Sequence, residues 1–166
     1  MSHRHEHTQE PGSISTVLAA LTLVTATAYA ADVTGTAGDD HLDGTASADT
    51  LRGLAGDDHL DGRRGPDRLF GGAGSDELTD HLGVATGGPL DVTRDVYRGG
   101  PGRDTLYVGR NDDVRAGGGR DHVWAYYVGE GDLVDCGAGR DVLHLHEDLH
   151  GLETRGCERI VIRLAG

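Results

Sequence analysis

The stretch that decides the fold runs from Gly35 to Thr79 and reads GTAGDDHLD GTASADTLR GLAGDDHLD GRRGPDRLF GGAGSDELT. It contains five consecutive blocks of nine residues, and each block has glycine first, aspartate sixth and leucine eighth. The octapeptide AGDDHLDG at 37–44 recurs unchanged at 55–62, eighteen residues later. An internal repeat with this doubled period predicts a coil in which two blocks make one turn.

The chemistry of one block predicts a turn followed by a short strand. Glycine permits positive φ and close approach of neighbouring backbones. Because successive strand side chains face opposite ways, the eighth-place leucine points inward and the seventh and ninth places point to solvent. Those outer places hold polar residues such as His41, Asp43 and Arg52. One leucine in nine residues makes a thin core.

The sixth-place aspartates create a charge problem that a cation would solve. Carboxylates stacked at the same place in successive turns repel one another, and a hard cation between the turns removes that repulsion. Calcium suits such a site because it accepts six to eight carboxylate and carbonyl oxygens in flexible geometry. The sequence therefore predicts a coil that needs its ions. An EF-hand starting at Asp39 is excluded because its twelfth place is Thr50 instead of glutamate.

The blocks resemble the RTX family of haemolysin-type calcium-binding nonapeptide repeats, whose pattern is G-G-x-G-x-D-x-U-x. The match is complete at aspartate and leucine, but the second glycine occurs only at Gly72, and Pro66 is unusual before its aspartate. The resemblance implies an all-β fold, a parallel β-roll that is a right-handed β-solenoid, with several Ca²⁺ ions between same-side turns. The implied ligands in the first array, 35–79, are Asp40, Asp49, Asp58, Asp67 and Asp76. The alternative interpretation of this stretch is a disordered linker rich in glycine and aspartate.

A second, less regular array spans 99–144. Three of its blocks share Gly-Arg-Asp, and their aspartates are the implied ligands Asp104, Asp121 and Asp141. Asp112 and Asp132 belong to a shortened and a lengthened block and are weaker candidates. The neighbouring arginines are expected to neutralise part of the charge.

The segment 80–98 between the arrays reads as an irregular loop or degenerate repeat, in which Tyr97 takes the inward place. The alternative is a linker between two separate rolls.

The first thirty residues predict a secretory signal peptide, cleaved after Ala30. The apolar run 14–31 ends in Ala28-Tyr29-Ala30, and Arg4 is the fixed positive charge before it. A membrane anchor is the alternative, although the run is short for a span. We therefore expect a secreted bacterial protein with no stable membrane insertion.

The last segment, 145–166, is expected to cap the open end of the coil with a final strand. Cys136 and Cys157 are the only cysteines, and in a secreted protein an even count indicates one disulfide that ties the cap to the roll. A redox or metal-binding pair is the alternative.

Composition excludes several classes of function. A net charge of −13 argues against a nucleic-acid partner. No H-E-x-x-H, G-x-S-x-G or P-loop motif occurs, so we expect no enzyme activity.

Three clusters of side chains have alternative roles. His144, His146 and His150 could bind zinc with Glu147 or Asp148, and His41 with His59 could stack or bind a transition metal. Trp124, Tyr126 and Tyr127 could stack on a sugar or fill the lengthened turn.

The expected function is that of a secreted calcium-binding protein that binds several Ca²⁺ ions and folds on binding them. The alternatives are an extracellular module that adheres to a glycan or protein partner, and an accessory module of a secreted enzyme.

Overall fold

The structure is a computed structural model that describes residues 29–80, 93–128, 130–146 and 151–163. Within these residues the chain forms strands only, arranged in two parallel sheets of seven. The first sheet contains β1 (Asp32–Thr34), β3 (Thr50–Ala55), β5 (Arg68–Ala73), β7 (Val96–Gly102), β9 (Asp113–Gly119), β11 (Leu133–Gly139) and β13 (Glu153–Arg155). The second contains β2 (His41–Asp43), β4 (His59–Asp61), β6 (Glu77–Thr79), β8 (Thr105–Val108), β10 (His122–Ala125), β12 (Val142–Leu145) and β14 (Arg159–Ile162).

Successive strands alternate between the two sheets, so two blocks complete one turn of a β-solenoid. Leu42 lies opposite Leu60 in one sheet, and Thr50 lies opposite Arg68 in the other. Both pairs are separated by eighteen residues, as the doubled sequence period predicts. The predicted parallel β-roll is confirmed.

The core is a file of inward side chains between the two sheets. In the first array they occupy the eighth place of each block, and in the second array the core also includes Val108, Ala116, Ala125 and Cys136. The fully buried ones include Leu51, Leu60, Leu69, Leu78, Tyr97, Leu106, Val123 and Leu143. Tyr97 is fully buried among them, as the pattern predicts. Because each block buries little apolar area, interactions in the turns have to supply much of the stability of the roll.

The two arrays form one continuous roll. β5 pairs with β7, which places Leu69 opposite Tyr97, and β6 pairs with β8, which places Leu78 opposite Leu106. The alternative of two separate rolls is wrong, because parallel pairing continues across the junction. Residues 81–92 of the predicted irregular loop lie outside the described residues.

The C-terminal segment continues both sheets by one further strand each. β13 pairs with β11 and β14 with β12, both in parallel. Ile160 and Ile162 on the last strand remain 46% and 47% exposed. The predicted disulfide is present: Cys136 on β11 bonds Cys157, with 5.1 Å between their Cα atoms. It ties this last strand pair to the body of the roll.

The predicted signal peptide lies outside the described residues except for Tyr29 and Ala30. In the part of the chain that the structure describes, no helix has the length and apolar character needed to cross a membrane.

Candidate calcium-binding turns

The sixth-place aspartates that precede the strands of the second sheet form a continuous hydrogen-bonded row, the first ladder. Each backbone amide donates to a carboxylate oxygen one turn further along. The successive N···O distances are Asp40 to Asp58 2.8 Å, Asp58 to Asp76 3.0 Å, Asp76 to Asp104 3.0 Å, Asp104 to Asp121 2.9 Å, Asp121 to Asp141 2.8 Å and Asp141 to Glu158 2.6 Å. The parallel register therefore stacks one acidic group per turn along this edge.

A second ladder runs along the opposite edge, before the strands of the first sheet. Its amide-to-carboxylate distances are Ala31 to Asp49 2.5 Å, Asp49 to Asp67 2.7 Å, Asp67 to Asp95 2.6 Å, Asp95 to Asp112 3.0 Å and Asn111 to Asp132 3.2 Å. Together the two ladders contain every aspartate that the sequence predicts as a ligand. Calcium coordination by these residues stays a prediction.

The second carboxylate oxygen of most first-ladder aspartates is buried without a hydrogen-bond donor. Among the described residues no donor reaches Oδ2 of Asp58, Asp76, Asp104, Asp121 or Asp141. A buried carboxylate oxygen without a partner costs free energy, and a bound cation removes that cost. This property distinguishes the row from aspartates that only cap a turn.

The first-place glycine of each block leaves the space into which this oxygen points. A Cβ atom on Gly53 would lie 2.1 Å from Oδ2 of Asp58 and 2.5 Å from the carbonyl oxygen of Gly71. On Gly99 it would lie 2.5 Å from Oδ2 of Asp104. Glycine thus allows a carboxylate oxygen and a carbonyl oxygen from the next turn to approach the same place. Hard oxygen donors of these two kinds are the set that calcium prefers, so the residues present fit the ion.

Burial changes the proton affinity of the ladder carboxylates. Desolvation raises the pKa of Asp104 and of Asp112 to about 7, and that of Asp121 to about 6, and neighbouring aspartates add to each rise. Backbone hydrogen bonds oppose the rise. Burial also raises the pKa of Asp58 and Asp76. A divalent cation bound at these carboxylates therefore has to displace protons near neutral pH.

The expected neutralisation by adjacent arginines is not found at Asp104. Arg103 is exposed to solvent, and burial together with Asp121 and Asp76 raises the Asp104 pKa. No arginine lowers the Asp104 pKa, so adjacency in sequence did not predict an electrostatic contact here.

Two ladder members escaped the sequence prediction. Asp95 lies between Asp67 and Asp112 in the second ladder, and Glu158 follows Asp141 in the first. Both keep the spacing of the regular repeat, in which the acidic residue stands two places before the inward residue: Asp95 precedes Tyr97, and Glu158 precedes Ile160. The insertion before Asp95 hides its repeat pattern, and at Glu158 glutamate replaces the aspartate of the pattern.

The outward histidines stack in pairs. The rings of His41 and His59 lie 4.6 Å apart and 4° from parallel, so the predicted stacking is confirmed. His144 stacks on Trp124 at 3.9 Å, and its Nε2 lies 3.3 Å from Nδ1 of His122. Neither pair joins a group of three metal-ligating side chains among the described residues, where only Asp80, Asp95 and Asp112 do so. His150, Glu147 and Asp148, named for the zinc alternative, lie outside the described residues.

The aromatic cluster lies on the outer face of the second sheet. Trp124 is on β10 between inward Val123 and Ala125, with the Tyr107 ring 6.5 Å away on the neighbouring strand. The prediction that Trp124 fills the lengthened turn is therefore wrong. Tyr127 lies in that turn and is 45% exposed.

Comparison with known proteins agrees with the geometry of the turns. The family model of the RTX calcium-binding nonapeptide repeat matches in four copies, over residues 34–69, 56–79 and 93–123. The chain contains RTX repeats. The matches cover the first array and the second array as far as residue 123. No curated protein and no solved structure matches the chain.

Proposed function

We propose that this protein is a secreted calcium-binding protein that binds several Ca²⁺ ions between its same-side turns and folds on binding them. The observation that carries the proposal is the row of buried first-ladder carboxylates, each with one oxygen that receives no hydrogen bond. The ions would be held by ladder carboxylates together with carbonyl oxygens of the glycine turns. Calcium supplies the positive charge that allows stacked carboxylates to stay ionised. The role is one of binding, without catalysis.

Coupled folding follows from the balance of forces in the roll. The core of the first array has one buried apolar side chain per block, and the ladders concentrate negative charge along both edges. Without cations, the ordering entropy of the glycine-rich turns and the desolvation of the carboxylates oppose folding. Extracellular calcium near millimolar concentration is in the range that extracellular calcium modules use.

Calcium binding is tested by equilibrium dialysis of the full chain against Ca²⁺, with Mg²⁺ as the matched control ion. The proposal predicts several Ca²⁺ ions per chain and weak Mg²⁺ binding, because Mg²⁺ demands a rigid octahedral site and dehydrates reluctantly. Binding of no calcium at millimolar concentration would refute it.

Secretion is proposed from the signal-like N-terminus and is supported by two features of the roll. The Cys136–Cys157 disulfide suits an oxidising compartment. Ala31, the first residue after the proposed cleavage, accepts a hydrogen bond from the Thr50 amide at 2.8 Å, so the proposed mature chain starts with a residue of the roll. Mass spectrometry of protein from culture medium should give an N-terminus at Ala31. An intact N-terminus on cell-associated protein would contradict secretion.

A surface-interaction module is a second candidate, favoured by one observation. A shallow pocket on the outer face of the roll is lined by Trp124, Tyr126, His144, His146 and Arg163. Aromatic and cationic groups of this kind suit a sugar or a protein loop. Binding to a glycan array that is lost in Trp124→Ala would support this function, and a blank array would count against a glycan partner.

A further inference from the structure

The junction between the arrays brings together three buried carboxylates of unusual origin. Asp95 and Asp112 belong to the second ladder, just before β7 and β9. Asp80 follows β6 directly and occupies the place where the preceding blocks have glycine. It therefore adds a carboxylate that the regular turns do not have.

These three groups are close and shielded from water. One oxygen from each lies within 4.8 Å of those from the other two. Asp80, Asp95 and Asp112 are 4%, 0% and 7% exposed. Like charges this close in a poorly hydrated place repel strongly unless a cation or protons compensate them.

A regular turn has no room for such a third group. At Gly62, the equivalent first place of an earlier block, a Cβ atom would lie 2.7 Å from Oδ2 of Asp67. At the junction the second-ladder spacing lengthens to 28 residues between Asp67 and Asp95, against 18 between Asp49 and Asp67. The ten additional residues lie between Asp80 and Asp95. The Asp80 carboxylate therefore stands at the point where the regular repeat is interrupted.

The Tyr97 hydroxyl is a further buried polar group at the junction. Its side chain is fully buried, and its hydroxyl has no hydrogen-bond partner among the described residues. Tyr97 is the inward residue two places after Asp95, and its partner on the neighbouring strand, Val114, lies two places after Asp112, so the buried ring is adjacent to two of the three carboxylates. Other blocks fill the inward place with leucine or valine, which leave no polar atom to satisfy. A buried hydroxyl without a partner is costly if the tyrosine only fills the core.

We propose that Asp80, Asp95 and Asp112, with the Tyr97 hydroxyl beside them, form a divalent-cation site that joins the two arrays. The all-oxygen donor set selects a hard cation, and Ca²⁺ suits it best. The site rests on the proposed calcium binding of this protein and adds to it a site built from three side chains. Its cation would hold β6 against the first turn of the second array.

The test is a calcium count on the full chain and on Asp80→Asn, which keeps the shape of the side chain and removes its charge. The matched control is Asp43→Asn, an outward aspartate whose side chain is 43% exposed. We expect Asp80→Asn to bind one Ca²⁺ fewer than the wild type and Asp43→Asn to bind the same number. An equal count in Asp80→Asn overturns the junction site while leaving the turn sites standing. A wild type that binds no calcium refutes the proposed function itself.

A second readout covers the case in which Asp80→Asn does not fold. Terbium replaces calcium in oxygen sites, and a tyrosine close to the ion sensitises its luminescence. Tyr97→Phe retains the core ring and removes the hydroxyl, a change that cores tolerate well. We expect a sensitised component in the wild type and in Asp43→Asn that is absent in Tyr97→Phe. Equal sensitised emission from wild type and Tyr97→Phe would overturn the site.

Discussion

A Cβ atom on Gly53 would lie 2.1 Å from Oδ2 of Asp58, the carboxylate oxygen that receives no hydrogen bond. The first-place glycine and the sixth-place aspartate of one block are thus two parts of one oxygen-lined turn. The same relationship recurs at Gly71 with Asp76, at 2.3 Å. It explains why the repeat requires glycine at a place where φ is not positive.

Gly53→Ala should therefore destabilise the calcium-bound roll by about 1–3 kcal/mol, the usual cost of overpacking. The matched control is Gly38→Ala in the same array, where the nearest atom to a new Cβ is 3.9 Å away. Thermal unfolding at saturating calcium measures both variants. Equal loss in the two variants would show that the contact with Asp58 is not the cause.

Asp76→Asn should weaken calcium-driven folding because Asp76 lies in the middle of the first ladder. Its Oδ1 accepts the Asp58 amide at 3.0 Å, and its Oδ2 is one of the buried oxygens without a donor. Loss of one charged ligand, worth about 1.5–3 kcal/mol, should raise the calcium concentration at the folding midpoint by roughly tenfold or more. A calcium titration followed by circular dichroism gives the midpoint. Asp43→Asn is the control, and a shift of the same size in that variant would make the effect one of net charge.

Acidification should stabilise the metal-free roll. Burial raises the pKa of Asp104 and Asp112 to about 7 from an ordinary value of 3.8. The folded state then binds more protons than the unfolded chain, so stability rises as pH falls from about 7 towards 4. Circular dichroism of calcium-free protein across this range measures the effect. Calcium affinity should fall over the same range, because protons and the ion compete.

The control for this pH dependence is Asp104→Asn, which imitates the protonated carboxyl and should flatten the profile. No gain of β signal in the calcium-free wild type on acidification from pH 7 to 4 would contradict the assigned pKa directions.

Reduction of the disulfide should loosen the C-terminal end of the roll. Cys136 and Cys157 close a loop with a sequence separation of 21, which is worth about 3 kcal/mol in the chain-entropy model. Thermal unfolding in calcium, with and without a reductant, measures the loss. The double variant Cys136→Ala with Cys157→Ala should be as unstable as the reduced protein and indifferent to the reductant. No change on reduction would mean that parallel pairing of β14 with β12 holds the end unaided.

The sequence predicted the fold and most of the acidic ladders because the repeat couples a glycine turn, a carboxylate and an inward leucine at fixed spacing. It could not predict the junction in the same way. Asp80 lies where the period breaks, and its proximity to Asp95 and Asp112 depends on how the coil resumes after the interruption. Outer-face contacts such as that of Trp124 with His144 depend on the register between neighbouring strands. The sequence repeat predicts that register only where successive blocks have equal length.

The central claim, that calcium binding and folding of the roll are one event, is tested most directly by far-ultraviolet circular dichroism of the full chain. The spectrum is recorded at neutral pH in EDTA and again after calcium is added in excess. We predict a largely disordered spectrum in EDTA and a β spectrum in calcium, with magnesium unable to replace it. The same β spectrum in EDTA and in calcium would contradict coupled folding.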